Sequence, residues 1–388
     1  MKKYLIYFFT LMVLSLSLVS CNDNKKQSAN VINFGSEAFV KVDVDLDSKY
    51  YDSVFSMVSQ PRIIALKEND ETMFADLNKL IVRDGKYYVL DAYGSRTVVS
   101  FNADGTPFAK YGKVGQGPGE YFRPVDIAVF DNIVYVLDMN TQKLIKYKES
   151  GELIDEISTP FRAEAINVVN RNKYLFCLYL QEESAKKGHR ICVTDSNLQV
   201  VATCLPIKEG YISGFINNDA LRTGSNGIAY YKIPCDTMFE FDDSANPRGG
   251  IVFDFGSFAV PDLAHVDFVK VMDDDRLKGT RMFTDTPISL AGGYMAVTLD
   301  EDSRNRYTVL FNPATNRCGG KRYKDMDNVY DILEPLAADE KGNLISYAAL
   351  EDLQEKKGYD ELPDSVKAQL ENNNRILLIY PFSKLADK

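Results

Sequence analysis

The sequence predicts an all-β fold: a six-bladed β-propeller of four-stranded blades, closed by an N-terminal strand, with short helical insertions on one face. Three observations carry this. The 388 residues are 45% hydrophobic and 26% charged, with 23 Tyr, 22 Phe and no Trp, which is a globular composition biased toward pleated, half-buried surfaces. Residues 84–91, Asp-Gly-Lys-Tyr-Tyr-Val-Leu-Asp, recur 47 positions on as residues 131–138, Asp-Asn-Ile-Val-Tyr-Val-Leu-Asp. Each copy is followed by a polar turn, an alternating strand and a Gly-containing turn, and a period of about 40–50 residues with four strands per unit is a propeller signature.

Taken in order, the chain opens on Lys2 and Lys3, an apolar run over residues 4–19, and then Leu18-Val19-Ser20-Cys21. This site resembles the bacterial lipobox, which implies that residues 1–20 are a lipoprotein signal peptide and that Cys21 carries the lipid. The run is too short for a comfortable membrane span and polar residues follow at once. Cleavage removes two lysines and no acid, so the net charge passes from −10 to −12. Residues 21–58 are expected to be a lipid-anchored tether and extension, beginning with the polar stretch 22–30, and residues 59–388 the propeller. Alternation of Val40, Val42, Val44 and Leu46 with polar residues reads as a strand within the extension.

The first unit has an inner strand at Leu77–Val82, then the 84–91 motif, Thr97–Phe101 and the turn NADG. The second repeats this through Lys143–Tyr147 and the turn KESG. Weaker copies occupy residues 166–204, 212–256, 286–324 and 332–382. The sixth unit stops after three strands. Residues 62–67, Arg-Ile-Ile-Ala-Leu-Lys, are available to supply its fourth, and closing a ring in this way removes exposed sheet edges. On this reading residues 22–58 are dispensable, whereas deletion through residue 70 unfolds the domain.

Residues 101–147 contain a Gly-rich loop, a Pro, an inner strand, the Tyr-Val-Leu-Asp strand and a strand ending in an aromatic. This pattern resembles an NHL-type repeat. With the lipobox, the chain resembles bacterial six-bladed β-propeller lipoproteins over about residues 60–382. The resemblance implies fold and address and no settled activity.

Several motifs exclude function classes. The loop GKVGQGPGEY (112–121) is followed by a strand rather than a helix, so it is not a dinucleotide cradle; its glycines serve a sharp path between blades. Asp43-Val44-Asp45-Leu46-Asp47 lacks the Gly and Glu of a calcium-binding EF-hand loop. His189 and His265 are the two histidines and fall in different units, which argues against a zinc site. No nucleophile-elbow GxSxG supports Ser-His-Asp catalysis. The acidic clusters at 273–275 and 300–302 read as solvated loops. Cys177, Cys192, Cys204, Cys235 and Cys318 are an odd set without a framework spacing and read as small buried hydrophobes, one bridge among the first three remaining open. With a pI near 5.0 and no basic tract, no nucleic acid is expected as a partner, and no cofactor is implied.

The connections divide by face. Turns between strands one and two, and between three and four, are short. Every long connection joins strands two and three or one blade to the next, including helical insertions expected within 261–278 and 351–374, the latter opened by Pro363. Elaborated loops on a rigid scaffold are where binding resides. The leading reading is therefore a lipid-anchored envelope module at the outer rather than the inner membrane, periplasmic or surface-exposed. It binds a protein, peptide or glycan through the long-loop face, or acts as a structural subunit of an envelope complex. The alternative is a calcium-dependent lyase or lactonase-type enzyme in the central channel, which requires the inner-strand acids Asp126, Glu164, Asp285 and Glu334 to converge. Arg123 and Arg162, each preceded by Phe just before an inner strand, and Arg281, before the fifth inner strand, are the candidate ligand-binding residues. Each either contacts an anionic ligand or braces blades through an acid such as Asp126 or Glu164.

Replacing Cys21→Ser is expected to leave the fold intact and release the protein from membranes. Fractionation of the variant checks this; recovery of signal-cleaved variant in the membrane pellet refutes it.

Overall fold

The computed structural model describes residues 29–35, 39–179, 188–207, 219–224, 227–261, 275–302 and 305–386. The expected signal peptide, Cys21, most of the tether, His265 and most of the 261–278 insertion lie outside the described residues. Before the first blade come β1 (Asn30–Val31), β2 (Phe39–Asp43), α1 (Ser48–Val58) and β3 (Arg62–Ala65). Blade 1 is β4 (Lys79–Arg83), β5 (Lys86–Asp91), β6 (Thr97–Phe101) and β7 (Pro107–Lys110). Blade 2 is β8 (Pro124–Phe130), β9 (Ile133–Asp138), β10 (Lys143–Lys148) and β11 (Leu153–Ser158). Blade 3 is β12 (Ala163–Asn170), β13 (Lys173–Leu178), β14 (His189–Asp195) and β15 (Val200–Pro206). Blade 4 is β16 (Leu221–Gly224), β17 (Gly227–Tyr230), β18 (Thr237–Phe241) and β19 (Pro247–Asp254). Blade 5 has a divided inner strand, β20 (Arg281–Phe283) and β21 (Ile288–Ser289), both paired to β22 (Met295–Glu301), then β23 (Asn305–Asn312) and β24 (Arg317–Arg322). Blade 6 is β25 (Pro335–Ala338), β26 (Leu344–Ala348) and β27 (Ile376–Tyr380), completed by β3.

The closing strand is the one the sequence indicated: β3 pairs antiparallel with β27 from Ile376↔Ala65 to Ile379↔Arg62. The tight turns also follow local chemistry. Asp84 and Gly85 have φ of 49° and 70°, and Asp131 and Asn132 have 53° and 58°, so both central residues of each two-residue hairpin loop are left-handed, the conformation that Gly, Asn and Asp tolerate best.

Six hydrophobic clusters fill the six gaps between neighbouring blades. Successive strand side chains point to opposite faces. Thus Tyr88 and Leu90 of β5 pack with Ile127, Val134 and Val136 of blade 2, while Tyr87 and Val89 pack with Ile345 and Leu377 of blade 6. Both faces of every blade are buried, and the wedge-shaped gaps take large rings, which accounts for the Tyr and Phe usage. The cysteines are free: Cys177, Cys192, Cys204 and Cys318 are buried and Cys235 half-buried. Burial pushes the Cys204 thiol up to about 12.

The extension is built into the ring rather than lying apart from it. β1 adds in parallel to β15, the outer strand of blade 3. β2 adds in parallel to β19 of blade 4, from Gly250↔Phe39 to Asp254↔Asp43. α1, capped by the Asp47 carboxylate accepting from Lys49 N, packs on blade 5 with Tyr50, Tyr51, Val54 and Val58 buried. A Cβ at Gly319 of β24 would lie 2.4 Å from Asp47 O and 2.7 Å from Tyr51 N, so glycine permits this approach. Residues 30–58 thus belt the outer rim of blades 3 to 5 before β3 completes blade 6. Among the insertions, α2 (Leu350–Leu353) and α3 (Asp364–Glu371, with Pro363 at its N-cap) bury Leu353 and Leu370 against blades 5 and 6; α4 (Ser383–Ala386) ends the described chain. Among the described residues no helix is long and apolar enough to cross a membrane.

Tyr51→Ala, which empties a fully buried ring site, is expected to cost about 3–5 kcal/mol, and removing residues 29–58 to cost more. Urea denaturation of both variants checks this; wild-type stability of the truncated protein would show the belt to be dispensable after all.

Candidate functional site

At the head of the central channel a buried polar network ties the six blades together. Lys79 Nζ of β4 lies 2.7 Å from Asp126 Oδ1 of β8 and 3.0 Å from Asp219 Oδ1, ahead of β16, with all three side chains almost wholly buried. Asp219 Oδ2 pairs with Arg222 Nη2 at 2.9 Å. Arg222 Nη1 donates to Leu336 O of blade 6, Ile166 N of blade 3 donates to Asp126 Oδ2, and Thr286 Oγ1 of blade 5 donates to Ala220 O. Burial pushes the Asp126 carboxyl up to about 6; Lys79 restrains the rise and Asp219 adds to it. Burial alone would lower the Lys79 pKa, but the two carboxylates hold it above the ordinary lysine value. Beyond the network the channel widens into a funnel of about 780 Å³ toward the short-turn face, where Arg83, Asp243, Asp339, Glu340 and Lys341 mix both signs.

The last residue of the repeated Tyr-Val-Leu-Asp motif positions the candidate arginine of blade 2. Asp138 accepts from Phe122 N, Arg123 N, Asn140 N and Thr141 Oγ1 at 2.7–3.2 Å. Asp91 does the same in blade 1, accepting from Ala75 N, Asp76 N, Gly94 N, Ser95 N and Ser95 Oγ. Burial would raise the Asp91 carboxyl, but these donors outweigh it and hold it below the usual aspartate value. The motif is thus a clamp between the loop entering a blade and the loop joining its second and third strands.

The three candidate arginines each stand against a different aromatic ring. The Arg123 guanidinium stands 5.1 Å from the Tyr93 ring and that of Arg162 stands 6.0 Å from Tyr179. The acids proposed to brace them are engaged elsewhere: Asp126 by Lys79, and Glu164 by Lys232 at 2.9 Å. Arg281 opens β20 rather than preceding the inner strand. Its Nε and Nη2 both lie 2.8 Å from Glu301 Oε1, and its guanidinium covers Phe258 at 3.8 Å.

Arg281 also lines a cavity of about 390 Å³ on the long-loop face, where blades 3, 4 and 5 meet. Arg190 at the start of β14 and Lys232 just after β17 line it with Arg281, and Tyr230, Phe239 and Phe255 supply apolar wall. Sequence reasoning missed Arg190 and Lys232 because it searched only ahead of inner strands; the available signal was a base beside the second-to-third-strand connection of units three and four. The inner-strand acids do not converge. Glu334 pairs with Arg306 at 3.2 Å, and Asp285 accepts from Thr284. Among the described residues no three His, Cys, Asp or Glu side chains are placed to hold a metal ion.

A sequence profile of the family described as Domain of unknown function (DUF4934) matches residues 19–381. The chain belongs to this family. No curated protein matches the sequence. The DUF4934 chain is similar to the crystal structure of a candidate exported protein from Bacteroides fragilis, with 16% identity over 91% of this chain and 99% of that one and a TM-score of 0.67. It is also similar to a member of the DUF4221 family from Bacteroides vulgatus, with 11% identity over 83% and 96% of the two chains and a TM-score of 0.52. At such identities the likeness shows the fold of this DUF4934 protein alone.

Lys79→Met leaves Asp126 and Asp219 without their shared counter-charge and is expected to destabilise the fold by about 3–5 kcal/mol at pH 7. Folded Asp126 keeps its proton to about 6, against an ordinary 3.8. The folded state therefore binds more protons across that window, and this group's contribution falls as pH rises through it. The penalty of Lys79→Met should accordingly be smaller at pH 5 than at pH 7, as read by denaturant titration at both; a pH-independent penalty speaks against a buried charged network.

Proposed function

We propose that this protein is a lipid-anchored binding module of the bacterial cell envelope, engaging a protein, peptide or glycan through its long-loop face. One observation carries the reading. The face holding the long connections also holds a cavity at a three-blade junction, whereas the opposite face is rimmed by two-residue turns such as Asp84-Gly85 and Asp131-Asn132. Rigid scaffolds present binding groups on elaborated loops. The address rests on the Leu18-Val19-Ser20-Cys21 site and on the NHL-like, lipoprotein-like pattern of the repeats, with support from the fold likeness to a candidate exported protein; an outer-membrane position, periplasmic or surface-exposed, follows from the same reading. A channel enzyme using calcium is disfavoured because Asp126, Glu164 and Glu334 are each held by a cation.

Arg123 and Arg162 are the proposed contacts near the channel mouth, their guanidinium forks partly stacked on Tyr93 and Tyr179. Peptide and glycan arrays probed with wild type and Arg123→Ala/Arg162→Ala test this. The double variant should lose tenfold or more in affinity for acidic ligands with an unchanged melting temperature. Binding indifferent to ligand charge, or equal in both proteins, removes these arginines from the site. Calcium-dependent turnover of lactones or uronic-acid glycans would favour the enzyme instead.

A further inference from the structure

The cavity where blades 3, 4 and 5 meet separates charge by depth. Its cations lie inward: Lys232 is 4% exposed and Arg281 has 16% of its side chain exposed, while Arg190 is half-buried at the start of β14. The acid of the lining, Asp236, is exposed at the rim. Two further acids fix the cations from behind and stand outside the lining. Glu164 holds Lys232 through both oxygens at 2.9 and 3.0 Å and also accepts from Cys177 Sγ. Glu301 holds Arg281 and is itself held by Tyr307 Oη at 3.2 Å. Lys232 and Arg281 are thereby held in place by ion pairs, so a ligand that reaches their remaining N–H groups meets cations that need little further ordering. The remaining wall is mostly apolar, with Tyr230, Phe239, Phe255, Leu205, Val260 and Met282 among its residues, and its polar groups are the Tyr230 hydroxyl, Thr237 and Cys235.

A volume of about 390 Å³ falls in the range of small-molecule sites, which combine apolar walls with a few placed polar groups. Oligosaccharides carry hydroxyls around their whole perimeter, and most would meet apolar wall here without a hydrogen-bond partner. A carboxylate at one end of an apolar body meets donors at depth and hydrocarbon along its length. We infer that this cavity is a site for a monocarboxylate with an apolar body of up to about dipeptide size, either a free organic acid or the C-terminal residue of a peptide. This deepens the binding reading proposed for the long-loop face and rests on it.

Titration calorimetry with four probes tests the inference: 4-phenylbutyrate, its primary amide, acetyl-Phe-Leu with a free carboxylate, and acetyl-Phe-Leu amide. The acids should bind at least tenfold more tightly than their amides, since charge-assisted hydrogen bonds are roughly twice as strong as neutral ones. If phenylbutyrate and the dipeptide acid bind alike, the site reads the acid itself; a marked preference for the dipeptide identifies a peptide C-terminus. Arg281→Gln should erase the acid-over-amide preference. Because that change also strips Glu301 of its partner, Val260→Trp serves as the second variant. It fills the cavity without touching a charge and should abolish binding of both acids at an unchanged melting temperature. Equal binding of acids and amides, no binding of the acids to wild type, or acid binding that survives Val260→Trp overturns the inference. Retention of array ligands by a protein that ignores all four probes sinks the carboxylate site and leaves the binding module standing; loss of both sinks the two together.

Discussion

An almost wholly buried lysine sits at the convergence of the blades. Lys79 is fixed between Asp126 and Asp219; Asp126 also accepts from Ile166 N of blade 3, and Asp219 pairs with Arg222, which reaches Leu336 O of blade 6. Hydrophobic packing between neighbours is non-directional and specifies neither the number of blades nor their angular setting closely. Directed bonds across the axis supply that information: one amine, two carboxylates and one guanidinium must meet within hydrogen-bonding distance, which they do when all six inner strands are in register. A buried pair of this kind is weak evidence of net stability, but breaking it is costly because a charge is left unpaired. The open funnel runs from this network toward the short-turn face.

With the axis fixed, the periphery is closed by the chain's own N-terminal belt. A blade's outer strand is an edge, and an edge is a template for unwanted pairing. Blades 3 and 4 receive β1 and β2 in parallel, blade 5 receives α1, and β3 supplies the fourth strand of blade 6.

The long-loop face gathers different chemistry from each blade it borders. In blade 2, the Asp138 clamp fixes the backbone of Phe122 and Arg123. Between blades 3, 4 and 5 lies a cavity lined by Arg190, Lys232 and Arg281, of which Lys232 is paired to Glu164 and Arg281 to Glu301. These positions share a face without sharing a site, which suits a module that contacts an extended partner at more than one point.

How much of this was legible in the sequence depends on the range of the cause. Turn residues such as Asp84-Gly85, alternation in Tyr-Tyr-Val-Leu, and the absence of a fourth strand after Tyr380 are local facts, and they determined the blade count, the closing strand and the division of loops by face. The motif aspartates were visible as repeats, though their role as clamps was not, because the amides they bind are supplied by another loop about 15 residues upstream. The contacts of the belt were not legible because Val40 and Val42 announce a strand but not its partner, and Gly319 of β24, which admits α1, lies some 270 residues away. Among the site residues, Asp126 and Glu164 were recognised as inner-strand acids and paired on paper with the nearest arginines. Lys79 and Lys232 took them instead. Sequence neighbours along one strand stay about 3.3 Å per residue apart, whereas the axis and the blade junctions bring together strands from distant parts of the chain. The amino-acid sequence by itself determined which strands form and how the ring closes; the tertiary structure decided which charge meets which, because ion pairing depends on distances that ring closure creates.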